Sequence, residues 1–179
     1  MIRPTQNLTM SSFNAQIYGF LAFLVGFPAL LAPFYWMWGL DKSRLMSSPT
    51  MYVLIIVVLF AGVVLHELIH GLTAIWHGGV SWRQVKFGVQ WKSLTPYCHS
   101  VVPMRAGQYR LVVLMPLIVM GLAPYAAALF FNNIGLLAFG TFFTLAAAGD
   151  LMIIWLMRNL RSDEQVQDHP TKVGLLITA

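Results

Sequence analysis

The sequence predicts an all-α membrane protein: four transmembrane helices, with a small β-hairpin between helices two and three. Three observations carry this expectation. The chain is 58% hydrophobic and only 9% charged, with a mean hydropathy of +0.71, whereas soluble domains carry about 25% charged residues. Its apolar residues gather in four long runs, each able to cross a hydrocarbon layer at ~1.5 Å of rise per residue. One stretch between the second and third runs instead alternates apolar and polar side chains, the period of a half-buried strand. The expectation is one integral membrane domain covering residues 1–179.

The first span is placed at 17–40, a run without a charge. Pro28 and Pro33 are expected to kink it, and Trp36 and Trp38 suit an interfacial belt. The polar residues ahead of it include one charge, Arg3, and the run is long enough to span rather than be cleaved as a signal peptide. A polar turn at 41–44 leads to Ser47-Ser48-Pro49-Thr50, with Pro49 suited to a first helical turn. The second span is 51–76, and Gly78-Gly79 should end it. Val85, Phe87, Val89 and Trp91 then alternate with polar or small residues, the chain turns at 93–96, and a return strand at 97–102 completes a hairpin at about 84–102. The third span is 109–131, interrupted by Pro116 and Pro124. The fourth, 134–157, follows the turn Asn132-Asn133 and carries one charge, Asp150. Past Arg158 the tail is polar, with a possible short strand at 173–178.

Four spans put both termini and the 77–108 segment on one side. That side holds Arg3, Arg83, Lys86, Lys92, Arg105, Arg110, Arg158, Arg161 and Lys172, against Lys42 and Arg44 on the other. The asymmetry predicts that both termini are cytoplasmic. The basic residues are scattered rather than clustered, which argues against a nucleic-acid partner. A single cysteine, Cys98, excludes an internal disulfide and any cysteine-based zinc cluster.

The second span holds His66-Glu67-Leu68-Ile69-His70, three ionisable groups in five residues of an apolar helix. Histidines four apart lie about 40° apart around the axis and one turn apart along it, so both imidazoles can reach one ion. A glutamate beside the first can reach a water on that ion. With this composition the pattern arises by chance roughly 0.0015 times per chain. A proton relay or an interhelical hydrogen-bond cluster is the alternative use of such residues.

A catalytic zinc usually takes three protein ligands. Thr73 and Trp76 occupy the positions where the metzincin arrangement needs Gly and His, so that class is excluded. His77 lies about 10 Å farther along the axis than His70, and His99 sits in the hairpin; both are expected to be interfacial residues, and Cys98 to be inert. Asp150 fits best. The two histidines precede the cytoplasmic end of their helix by as many residues as Asp150 precedes Arg158, about 12 Å of depth in each case. An unpaired Asp at mid-membrane would cost ~2.5–3.5 kcal/mol, and coordination to a dication offsets that. A salt bridge to a nearby Arg is the alternative. The expected site is therefore metal ligands His66, His70 and Asp150, with Glu67 as the catalytic base and Zn(2+) as the cofactor.

These residues resemble the putative zincin peptidase family of small bacterial membrane proteins (DUF3267). The resemblance rests on His66-Glu67-Leu68-Ile69-His70-Gly71, Tyr97-Cys98-His99, Gln108-Tyr109, Gly149-Asp150 and Val166-Gln167-Asp168, and covers about 58–175. More distantly the chain is similar to site-2 intramembrane metalloproteases, which take a third ligand from an Asp in a Leu-Asp-Gly context; here the context is Gly149-Asp150-Leu151. The resemblance implies a zinc-dependent membrane peptidase fold in a bacterial inner membrane.

Two functions follow. One is a zinc metallopeptidase acting on peptide bonds of a membrane protein or peptide at or in the bilayer, with the hairpin holding an extended substrate by strand addition. The other is a non-enzymatic small subunit or assembly factor of a larger membrane complex, with a structural or vestigial metal. Haem ranks below both, because its axial ligands usually come from facing helices and these histidines share one.

Overall fold

Capping residues and prolines decide where each apolar run becomes a helix. In the computed structural model, which describes residues 6–39, 49–91, 95–170 and 172–178, α1 spans Ser12–Trp38. It begins ahead of the apolar run because Ser11 Oγ accepts the Asn14 N–H at 3.1 Å and supplies an N-cap. The helix continues through Pro28 and Pro33 and stops at Gly39, whose φ of +69° favours glycine. Helix α2 spans Pro49–Trp76, with Pro49 at its first position and Gly79 in the left-handed region (φ +72°) just past its end. The expected turn at 41–44, the helix opening at 47–48, the turn residues Ser93 and Leu94, and Arg3, Lys42, Arg44 and Lys92 lie outside the described residues.

The hairpin forms as expected. Strands β2 (Val85–Gln90) and β3 (Thr95–Ser100) pair antiparallel, with Val85 opposite Ser100 and Phe87 opposite Cys98. Phe87 and Val85 lie so close over Gly71 of α2 that a Cβ there would collide with the Phe87 ring. This contact seats the hairpin on the end of α2.

The third run is longer and less regular than its sequence suggests. Helix α3 (Ala106–Pro116) starts early because the Gln108 side chain accepts the Arg105 N–H at 3.3 Å. A π-helical segment, Leu117–Leu122, then leads into α4 (Ala123–Phe131). Pro124 lacks an N–H and its ring needs room beside the preceding turn, and the wider π-turn accommodates both. The fourth run, expected as one helix over 134–157, is two: α5 (Ile134–Ala146) and α6 (Ala148–Leu156), joined at Ala147. Asp150 thereby falls in the first turn of α6, where free N–H groups favour a carboxylate.

The all-α expectation needs a correction. The fold is mostly helical, but beside the hairpin it has a second, four-stranded antiparallel sheet in the order β1-β6-β5-β4. Its strands are β1 (Gln6–Met10), β4 (Met104–Arg105), β5 (Gln165–Asp168) and β6 (Val173–Thr178). Only β6 was expected. The others are too short for a readable period, and β1 and β4 take partners distant in sequence: Leu8 faces Leu175, and Met104 faces Val166. Because this sheet joins the start of the chain, the entry to α3 and the tail, all three lie at one end of the helices.

Packing follows from these anchors. Helix α2 lies along α3, while α1 lies along α4, α5 and α6. A buried cluster under the sheets unites Ala74, Val85, Met104, Tyr109, Val166 and Leu175. At the far end Phe34, Ala128 and Leu137 form a smaller one, beside a Tyr125 hydroxyl that donates to the Leu30 carbonyl at 2.8 Å. Among the described residues, four helical stretches are long and apolar enough to cross a membrane: Phe13–Trp38, Val53–Trp76, Ala106–Phe131 and Ile134–Leu156.

Leu175 is fully buried between the sheet and the helix ends. Leu175→Ala is expected to cost about 2–5 kcal/mol, read as a lower thermal unfolding midpoint in detergent.

Candidate metal centre

One turn of α2 separates His66 from His70, and both side chains point inward, each residue 9% exposed. Small neighbours make this possible: the ring of Phe143 on α5 sits against Gly62 and stacks on His66, with centroids 6.4 Å apart. His70 is oriented from the other side. Its Nδ1–H donates to the Val112 carbonyl of α3 at 2.9 Å, which leaves the Nε2 lone pair free to bind an ion.

Asp150 reaches both rings. Its Oδ2 is 3.2 Å from His66 Nε2, and its Oδ1 is 3.3 Å from His70 Nε2. Asp150 Oδ2 is buried and has no aligned hydrogen-bond donor among the described residues, so it can serve as a ligand atom. The spacing has a simple reading. Ligand atoms held at about 2.0–2.1 Å around a tetrahedral zinc are about 3.3 Å from one another. His66, His70 and Asp150 form a group whose candidate ligand atoms lie within 4.8 Å of one another. Two neutral imidazoles and one carboxylate are a donor set that suits zinc and leaves a fourth position open. The residues present fit the metal.

Glu67 is not part of that converging group, yet it lines the same cavity as His70 and Asp150. The cavity has a volume of about 480 Å³. It is lined by Pro96 to Ser100 of β3, by Asp168 at the end of β5 and by Val173 and Gly174 at the start of β6. It therefore opens at the end of the helices that carries both sheets.

A family model described as "Putative zincin peptidase" (DUF3267) matches residues 59–164, more than half of the chain. The chain belongs to DUF3267. No curated protein and no solved structure matches it. The DUF3267 match includes the two histidines, Glu67 and Asp150 and stops short of β5, so Val166-Gln167-Asp168 lies beyond it. Membership implies a metal and points to a metallopeptidase.

The remaining candidates divide by position. His77 contributes its carbonyl, which accepts a bond from the Gln108 side chain at 2.9 Å. His99 lines the cavity and rests on the Tyr97 ring, centroids 4.5 Å apart. Neither joins the group of converging ligand atoms. Cys98 also lines the cavity; burial first, then the nearby carboxylates of Glu67 and Asp168, push its thiol up to about 12.

Reasoning from the sequence missed three features. Asp168 accepts the Ser100 N–H at 2.8 Å on Oδ2 and the hydroxyl of buried Tyr109 on Oδ1, which ties the tail to the hairpin and to α3. Gln167 adds a bond to the Val101 carbonyl at 2.8 Å. Arg110 donates to the carbonyls of Met157 and Leu160, fastening the end of α6 to α3. Tyr109 and Asp168 belong to motifs visible in the sequence, but nothing local pairs them.

Two outcomes test this centre. Elemental analysis should find zinc near one per chain in the wild type and none in His66→Ala or Asp150→Ala; zinc kept by Asp150→Ala would remove it as a ligand. Alkylation of Cys98 at pH 8 should run roughly a thousandfold slower than that of a free cysteine, and should accelerate steadily above pH 10, because only the thiolate reacts.

Proposed function

We propose that this chain is a membrane-embedded zinc metallopeptidase that hydrolyses peptide bonds at or within a bacterial inner membrane. The observation that carries the proposal is the approach of His66 Nε2 and His70 Nε2 to the Asp150 carboxylate at 3.2–3.3 Å, with Glu67 lining the same cavity as His70 and Asp150. A bound zinc supplies a Lewis acid there, which acidifies a water toward a pKa of ~7 and polarises a carbonyl.

The chain's own residues do the rest. His66 and His70 would hold the metal through Nε2, and the Val112 carbonyl keeps His70 in the tautomer that can bind. Glu67, outside the ligand set, takes a proton from the attacking water and delivers it to the departing amine. The water's oxygen goes to the carbonyl carbon as the C–N bond breaks, leaving a new carboxylate and a new amine. Apolar helix surface around the site excludes bulk water, while the cavity under the sheets admits an extended peptide. Main-chain pairing with the hairpin would hold that peptide still.

Four apolar helices support the membrane setting. Arg83, Lys86, Arg105, Arg158, Arg161 and Lys172 belong to the end that carries the sheets, which supports cytoplasmic termini. A second reading, a subunit of a larger membrane complex with a structural metal, draws on α1 and α2, whose spans are only 6% and 11% buried. Lipid alone accounts for that exposure, so the peptidase reading is preferred.

Glu67→Gln separates the two. It should retain zinc and lower cleavage of a peptide substrate by about 10²–10⁴-fold. Undiminished cleavage would reject the mechanism, and constant co-purification with another membrane assembly, without any cleavage, would favour the subunit.

A further inference from the structure

The cavity is bounded by an unpaired strand edge that ends at a carboxylate. Val101 N–H donates to the Gln84 carbonyl at 2.8 Å, so along β3 the odd residues Tyr97 and His99 turn their main-chain groups to β2. The even residues Pro96, Cys98 and Ser100 turn theirs outward. Two facts agree with this alternation: Pro96, which has no N–H, takes an outward position, and the Ser100 N–H leaves the hairpin to meet Asp168. Among the described residues nothing bonds the main chain of Cys98. Cys98 lines the cavity together with Glu67 and Asp168.

Asp168 closes this edge. It occupies the Ser100 N–H, so an added strand can run along Cys98 but not past Ser100. It also retains binding capacity: a carboxylate offers about four lone-pair sites, Ser100 and Tyr109 use two, and the group lines the cavity. A peptide added antiparallel to β3 has its N-terminus at the Ser100 end. A parallel peptide would bring its C-terminal carboxylate against the Asp168 carboxylate, which repels it. Lys172, a cation that also lines the cavity, is exposed.

We infer that the substrate is a peptide with a free N-terminus, whose α-ammonium is held by Asp168 while its main chain pairs with Cys98, so that cleavage releases a short N-terminal piece. This rests on the peptidase reading and sharpens it from peptide hydrolysis in general to trimming from the amino end. Asp168 is a specificity residue here and takes no part in bond breaking.

The test uses the full zinc-loaded chain in detergent and one fluorogenic apolar hexapeptide in three forms: unmodified, N-acetylated and C-amidated. Acetylation should lower kcat/KM about tenfold or more, as expected for loss of a charge-assisted bond, and amidation should leave it unchanged. Asp168→Asn should bring the ratio of free to acetylated peptide close to one. Asparagine can still accept the Ser100 N–H and donate to Tyr109, so the clasp survives while the charge is lost. Tyr109→Phe, which removes a partner but keeps the carboxylate, should preserve the ratio. Equal cleavage of free and acetylated peptides would overturn the inference and leave the peptidase intact. A loss on amidation would overturn it in favour of the C-terminus and Lys172. Failure to cleave any form with zinc bound would overturn the inference together with the peptidase reading.

Discussion

A carboxylate inside an apolar helix is the constraint from which the rest of this structure follows. A lone carboxylate among apolar neighbours is costly, and two imidazoles on another helix meet Asp150 here. That meeting demands that α2 and α6 stand at matched heights. Several contacts hold them there: His70 is tied to α3 through Val112, Arg110 fastens the end of α6 to α3, and Phe143 backs His66 where Gly62 makes space. The join at Ala147 completes the arrangement by giving Asp150 the N-terminal turn of a helix.

The two sheets then determine what the centre can meet. The hairpin is seated on α2 by Phe87 over Gly71, one residue past His70. The four-stranded sheet is formed from distant parts of the chain, and Asp168 of β5 and Val173 of β6 line the cavity together with β3. Asp168 joins the two sheets through Ser100 and reaches the helices through Tyr109. A site in the helices is in this way coupled to a cleft formed by strands, and the polar tail becomes part of the cavity rather than an appendage.

How much of this was legible in the sequence depended on the range of the interaction. Helix ends were off by a few residues wherever a side-chain cap intervened, as at Ser11 and Gln108, since the apolar run does not contain the cap. The hairpin was legible because Val85 to Trp91 carry a period of two within one short window. Strand β1 was not, because five residues at one end of the chain acquire a partner only when the other end folds back on them, and β5 is too short, at four residues, to show a period. The interruptions in the third and fourth runs were half legible: Pro124 announced one, and the alanine run around Ala147 gave no such warning.

For the site, local spacing was enough to select His66, Glu67 and His70, since four residues are one helical turn. Asp150 could be chosen because so few acids occur in the apolar runs that a depth argument singled it out. By itself, then, the sequence determined four long apolar helices and a His-Glu-x-x-His turn in the second. Only the tertiary structure decided which lone pairs face one another, that Glu67 stands outside the converging ligand atoms, and that Asp168 closes the edge of β3. The physical reason is range. Helical register and hydropathy are written in neighbouring residues, whereas convergence of side chains and pairing of strand edges arise from parts of the chain that meet only on folding.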